Sequence, residues 1–476
     1  MLDPDDWPAF RKLSHEALDD ALDYLQTVRE RPVWQSMPEA AIERLRDPLP
    51  QTPMPLQDVY DEFTRSIMPY GGGNIHPRFF GWVQGSGTPT GLLADFLASA
   101  MNANVGGRNH GAVHVERAVI RWFLELFKFP HNGSGVLTTG TSAASVIALL
   151  IAKTRLLGID SRESGIDNSA GRLVGYASTA THGCIRRAFE ICGLGGAALH
   201  AISTDAHDRL DLATLQRAIA HDRDRGNRPF IIVANAGTVD VGAIDPLDEI
   251  ARIARTEGLW YHVDGAFGAA AMLSSKLAPR LRGIELADSI AFDFHKWFHV
   301  PYDAGALIVR DADIHRATFA YSPTYLRRAS RGLAGGEPWF TDLSPELSRG
   351  FRALKVWFTV KSFGARKIAE AIENNVRQAA LLAEIVDAED RFELLAPATL
   401  NIVCFRYCPP GRDAAESDEF NDELVIRLQE SGEAVASSAT IQERRAIRIC
   451  ITNQRTSDED CKRTFSAIKR IAESML

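Results

Sequence analysis

The sequence lacks any apolar run approaching the ~18 residues of a membrane-spanning helix. It has only six cysteines in 476 residues. Cys184, Cys192, Cys404, Cys408, Cys450 and Cys461 are too sparse and irregular for a disulfide framework or a zinc knuckle, so reduced thiols and no metal site are expected. There is no basic stripe, and the formal net charge is −8, so nucleic acid is not an expected partner. The opening MLDPDDWPAF is acidic where a secretory signal would be basic, which makes a cytoplasmic protein the expectation. What is present, 45% hydrophobic and 24% charged residues, fits a soluble globular protein. The length calls for two or three domains.

Residues 1–75 read as an N-terminal helical arm and linker. Phe10, Leu13, Ala17, Leu18, Ala21, Leu22 and Leu25 recur at helical spacing and form an apolar face that needs a cover. A second subunit or the chain's own body would supply it. The proline-dotted stretch 32–55 reads as extended linker. From Gly71 the chain becomes rich in glycine and aromatics (GGGNIHPRFFGWVQGSGTPTG), which suits backbone that closely approaches a ligand or another chain. Phe79, Phe80 and Trp82 are pocket walls or core. Over 136–139, 173–177, 198–202, 230–235, 260–263, 289–292 and 306–309 run seven short β-branched or aromatic segments, most of them separated by helical stretches. This predicts an α/β domain over 76–373 with a largely parallel seven-stranded sheet covered by helices on both faces. Residues 374–476 read as a small C-terminal α/β domain with strands at 400–405 and 446–451.

A ligand site is expected where such strands end at their carboxyl termini. After 136–139 comes GTSAASVIALLIAK, where small hydroxyl residues open directly into an apolar helix. Thr141 and Ser142 there form an anion cradle suited to phosphate, or a plain N-cap. His182 follows the second strand, and Thr238 lies in the small-residue turn after 230–235. Asp264 ends a buried strand, where a carboxylate is costly unless a cation meets it. Lys296 follows 289–292 amid Asp293, His295 and Trp297. Taken alone it is a surface lysine beside a core tryptophan. In desolvated aromatic surroundings it would lose proton affinity and become an amine nucleophile. A phosphate cradle, a carboxylate seeking a cation, a flat small-residue floor and a reactive amine are together what pyridoxal 5'-phosphate requires.

HPRF at 76–79, HVDGAFG at 262–268, HKW at 295–297 and FRALKVW at 351–357 match, in order and spacing, the group II pyridoxal-phosphate-dependent decarboxylases. The chain resembles this family, which includes aromatic amino acid, glutamate and histidine decarboxylases, from about residue 10 to its end. The resemblance implies a fold type I enzyme and a homodimer with active sites at the subunit interface. It implies Lys296 as the Schiff-base lysine, Asp264 as partner of the pyridine nitrogen and His182 as the imidazole over the ring. Thr141, Ser142 and His295 match phosphate-side residues, Ala266 the small residue under the ring, and Thr238 a cofactor contact. Two departures stand out: Asp293 where many members carry asparagine, and Val239 where several carry threonine.

The turn-rich segment 311–350 fits a lid. A gapless count back from Phe351 puts Phe340 at the family's catalytic tyrosine, a change that goes in some relatives with aldehyde formation. Tyr321 and Tyr325 lie in the same segment and could serve instead. Arg448 is a candidate for gripping a substrate carboxylate, or a solvent-facing strand residue. The expected activity is decarboxylation of an L-amino acid to its amine and carbon dioxide, with the aromatics at 79, 80 and 82 favouring an aromatic substrate. Oxidative deamination to an aldehyde, carbon–carbon lysis and non-catalytic binding are the alternatives.

Overall fold

In a computed structural model, which describes residues 2–321 and 328–476, seven strands form one sheet. They are β1 (Ser134–Thr138), β2 (Leu173–Ser178), β3 (Leu199–Ile202), β4 (Arg228–Asn235), β5 (Trp260–Asp264), β6 (Ser289–Asp293) and β7 (Gly305–Val309). Their order is β1-β7-β6-β5-β4-β2-β3. The run from β3 to β6 is parallel, whereas β7 is antiparallel to both β6 and β1. Every residue of β2, β5, β6 and β7 is buried, as expected where helices cover both faces of a parallel sheet. The sheet belongs to a compact unit comprising Val83–Arg377 and Pro397–Ile402. The α/β, largely parallel seven-stranded fold that the sequence leads one to expect is thus present.

Register brings the strand ends together. Gly305 pairs with Thr138 on one side and Asp293 on the other, while Asp264 pairs with Ala291. A Cβ on Gly305 would lie 2.5 Å from Gly140 Cα and 2.6 Å from Asp293 Oδ1, so only glycine permits this approach. Gly85 has a similar role. A Cβ there would lie 2.3 Å from the carbonyl oxygens of both His295 and Lys296. The glycine-rich stretch therefore approaches the chain's own lysine turn.

Behind β1 lies an ion pair whose side chains, Glu116 and Arg349, are both 0% exposed. Arg349 Nη2 donates to Glu116 Oε1 and to the Leu137 carbonyl, each at 2.6 Å, and Nη1 donates to the Val105 carbonyl at 3.1 Å. Glu116 Oε1 also accepts the Leu137 N–H at 3.0 Å. The Arg349 guanidinium covers the Phe340 ring at 4.9 Å. Phe340 is thus a buried residue of this unit, packed on a core arginine; Tyr321 is exposed, and Tyr325 lies outside the described residues.

The other unit comprises the residues up to Trp82 together with Gln378–Ala396 and Val403–Leu476. Its sheet has the order β10-β11-β9-β8, from β8 (Phe392–Leu394), β9 (Ile402–Tyr407), β10 (Ser437–Ile441) and β11 (Arg444–Cys450). The N-terminal residues and the C-terminal sheet, expected as separate parts, cluster here as one unit because 78–82 adds a backbone rung. Phe80 N–H donates to the Val435 carbonyl at 2.7 Å, and Cys450 N–H donates to the Phe80 carbonyl at 3.0 Å. Phe79 packs with Val33, Val435 and Trp34.

Phe79 and Phe80, at 3% and 1% exposed, are therefore core and not pocket walls. Trp82 is exposed. Arg448 is buried and donates from Nη1 to the Trp82 carbonyl at 2.9 Å; it neither faces solvent nor offers that nitrogen to a substrate. Asn453 Nδ2 donates to the His76 carbonyl at 3.0 Å and Thr456 Oγ1 to the Pro77 carbonyl at 2.7 Å, so HPRF is latched into the same core. The stretch 32–55 includes the helix Glu39–Arg44: its strong helix formers overrode the prolines around them. The helix Trp7–Gln26 has no fully buried residue; Leu13, Ala17, Leu18, Ala21 and Leu25 on its apolar face are half-buried, whereas Trp7, Phe10 and Leu22 stay exposed within the chain.

Replacing Arg349 with methionine leaves Glu116 buried without its partner. Stability measured by urea unfolding should fall by about 3–5 kcal/mol, and replacing Glu116 with leucine in the same protein should recover much of the loss. Equal losses in the single and double variants would refute this account of the pair.

Candidate active site

Two residues separate the end of β1 from the helix Thr141–Leu157. Thr138 Oγ1 closes the intervening turn, accepting the Gly140 N–H at 3.3 Å and donating to the Gly140 carbonyl at 3.0 Å. The Thr141 N–H donates to Asp293 Oδ1 at 2.6 Å. The Thr141 hydroxyl is buried without a hydrogen-bond partner among the described residues. Ser142 is exposed at the mouth of a cavity of about 380 Å³ lined by Val146, Cys184, Ala188 and Ile191 among others.

Asp293 ends β6, and Lys296 lies three residues on, in the turn before β7. The Lys296 Nζ and Asp293 Oδ2 are 2.9 Å apart, and the lysine side chain is 22% exposed. Burial works against the ammonium, but Asp293, in direct contact, and Asp264 beyond it raise the pKa of Lys296 above the ordinary lysine value. The expected loss of proton affinity is overturned by a carboxylate whose direction the sequence did not reveal. His295 Nδ1 accepts the Ala304 N–H at 3.1 Å, and its ring stacks on Tyr302 at 4.3 Å. Burial, against the pull of Asp293, holds the imidazole below its usual pKa. It is therefore a neutral ring in a fixed position.

Asp264 ends β5 and is buried. Its Oδ1 accepts the Ala266 N–H at 3.1 Å, and its Oδ2 lies 4.0 Å from Cys184 Sγ. Burial pushes this carboxyl above the usual range, against the pull of Lys296, the Ala266 N–H and His182. Burial and the charge of Asp264 push the Cys184 thiol up to about 12. The cation that Asp264 was expected to meet is not in direct contact, because Lys296 pairs with Asp293 instead. Ala266 joins both carboxylate residues: its carbonyl accepts the Asp293 N–H at 3.0 Å.

His182 is exposed, with Nδ1 accepting the Cys184 N–H at 3.2 Å; the neutral ring then carries its proton on Nε2. The preceding residue is held by a network that sequence reasoning missed. Asn235 Nδ2 donates to Thr181 Oγ1 at 2.9 Å and to Asp245 Oδ2 at 2.8 Å. Asn235 at the end of FIIVAN was the available signal, a polar side chain closing a buried strand. Thr238 is buried, its hydroxyl accepting the Ala243 N–H at 3.0 Å, which clamps its own turn and leaves the hydroxyl proton to donate. Tyr302 and Cys184 are further neighbours that the sequence did not single out.

The residues fit pyridoxal phosphate. An orphaned hydroxyl at a helix N-terminus suits a phosphate oxygen. A buried carboxylate in contact with no cation suits a protonated ring nitrogen. A lysine on the adjacent strand end supplies the amine.

A family model for the pyridoxal-dependent decarboxylase conserved domain matches residues 38–408. An aromatic-L-amino-acid decarboxylase of Bacillus atrophaeus is 32% identical over 98% of this chain and 96% of its own length. A phenylacetaldehyde synthase of Arabidopsis thaliana is 28% identical over 100% and 98%. The crystal structure of Oryza sativa TDC with PLP and tryptamine superposes with a TM-score of 0.92 at 27% identity, covering 100% of both chains. With the family domain spanning most of its length and the cofactor's groups gathered at its strand ends, the chain belongs to the pyridoxal-dependent decarboxylase family.

Proposed function

We propose that the protein removes the α-carboxylate of an aromatic L-amino acid to give the amine, and that it works as a homodimer. The observation that carries the reading is the convergence of Lys296 and Asp264 from adjacent strand ends, with the Thr141 cradle across β7. When bound, pyridoxal phosphate supplies an aldehyde for the amine and a protonated ring that accepts the electron pair left by departing carbon dioxide. Asp264 keeps the proton on the ring nitrogen. Thr141 and Ser142 bind the phosphate, while the neutral His295 ring, pinned by Ala304 and Tyr302, shapes that end of the pocket. Lys296 would hold the aldehyde end through Nζ. Ala266 would leave room for the ring, and His182 would lie beside it. The balance is one carbon–carbon bond broken, carbon dioxide released and one proton added at the α-carbon.

An aromatic substrate is favoured by the Bacillus decarboxylase, similar over nearly the whole of both chains, and no longer by Phe79 and Phe80. Aldehyde formation is the second reading. The Arabidopsis phenylacetaldehyde synthase favours it, and Phe340, packed against Arg349, has no hydroxyl with which to return a proton. A dimer is favoured by apolar side chains left exposed within the chain. These include Trp7, Phe10 and Leu22 on one helix, Leu56, Val59 and Phe63 on another, and Leu93, Phe96 and Met101 on a third.

Three outcomes are expected. The purified protein should absorb at about 420 nm, the usual band of a protonated pyridoxal imine, and Lys296→Ala should lack that band; an unchanged spectrum would sink the lysine assignment. Among the twenty amino acids, aromatic ones should release carbon dioxide and amine in equal amounts. Peroxide release with oxygen uptake would instead establish the aldehyde route, and turnover confined to non-aromatic substrates would overturn the choice of substrate. Sedimentation equilibrium should give twice the 52.4 kDa chain mass; a monomer that retains full activity would exclude the dimer.

A further inference from the structure

Asp293 bonds to two groups that the proposed function assigns to the cofactor. Its Oδ1 takes the Thr141 N–H at the phosphate cradle, and its Oδ2 takes the Lys296 ammonium that must meet the aldehyde. Its surroundings set the charge balance. His295 on the same turn is held neutral by burial. The Cys184 thiol and the Tyr302 hydroxyl are both pushed upward, chiefly by burial, and stay protonated near neutrality. Asp264 faces the site from β5. His182 acts on Asp264, Asp303 adds a carboxylate near His295, and Arg187 lines the cavity beside Ser142. Lys296 is the cation in direct contact with Asp293, so a phosphate dianion brought to the Thr141 end would add two negative charges beside a carboxylate whose one bonded cation is to be taken by the aldehyde. Like charges brought together out of water raise the proton affinity of the cluster.

We propose that Asp293 makes cofactor loading proton-coupled: carboxylate and phosphate contend for the Thr141 end of the helix, and binding takes up a proton that neutralises one of them. The proposal rests on the reading that phosphate lies at Thr141 and that Lys296 takes the aldehyde. That condensation is itself proton-neutral, since an ammonium and an aldehyde give water and a protonated C=N group. Protons moved at the ring nitrogen and Asp264 are common to the wild type and an Asp293 variant, so the difference in proton count between the two reports the anions.

The test is isothermal titration of pyridoxal 5'-phosphate into cofactor-free protein at about pH 8, above the phosphate's second pKa of about 6. It is run in two buffers of different ionisation heat, for the wild type and Asp293→Asn. The wild type should take up about one proton more than the variant, and the variant should bind on the order of tenfold tighter. Equal proton uptake by the two proteins would overturn the proposal. Should that variant not fold, Asp293→Ser takes its place in the same comparison, and proton uptake equal to that of the wild type again overturns the idea. Failure of the wild type to bind the cofactor at any pH would instead overturn the proposed function.

Discussion

The contact of the Asp293 carboxylate with the Thr141 N–H and the Lys296 ammonium holds three segments of the larger unit at one point. One oxygen fixes the start of the helix after β1, the other fixes the lysine before β7, and the Asp293 backbone N–H fixes the turn after β5 through Ala266. Most of the geometry around Lys296 depends on these bonds being compatible. They are compatible because Gly305, between Thr138 and Asp293 in the register, has no side chain to push them apart. The sheet therefore acts as a jig for charge. Adjacent parallel strands bring Asp264 and, two residues further along β6, Asp293 to the same edge, and the local chain provides one ammonium to meet them.

The two carboxylates differ in how they are satisfied. Asp293 has a cation and a helix N-terminus in contact, which offset the cost of burying a carboxylate. Asp264 has a backbone N–H and a thiol, so burial dominates and its proton affinity rises. A protein seldom leaves a buried carboxylate in that condition without a ligand to meet it. The site is asymmetric for that reason: one acid anchors the lysine, and the other is the one that the proposed function pairs with a charged ring atom.

Much of this was legible in the sequence, for identifiable reasons. Strands buried on both faces read as continuous apolar runs, and all seven strands of the main sheet were visible as such. Residues placed where those runs end, Thr141, Asp264, Ala266, Asp293, His295 and Lys296, were thereby placed at one edge. What stayed hidden depended on direction or on distant partners. An aspartate three residues before a lysine can face it or turn away, and only the register with Gly305 and the Thr141 N–H settles the choice. Phe79 and Phe80 beside glycines suit a pocket as well as a core, and their partners Val33 and Val435 lie far off in the chain. Arg448 was judged as a strand residue open to solvent or substrate, yet the Trp82 carbonyl is its neighbour only in three dimensions. Phe340 was placed by counting through a variable loop, and counting cannot register that Arg349 would cover its ring.

Cys184 carries a consequence for how the site would tolerate oxidants. Its sulfur stands beside Asp264, in a position where a reactive thiolate would be open to alkylation or to oxidation toward sulfenic acid. With the thiol pushed up to about 12 by burial and by the neighbouring carboxylate, it stays protonated at neutral pH and is a poor nucleophile. The same buried acid thus passivates the nearest sulfur, and Lys296, held as an ammonium by Asp293, is closed to electrophiles for as long as that contact lasts.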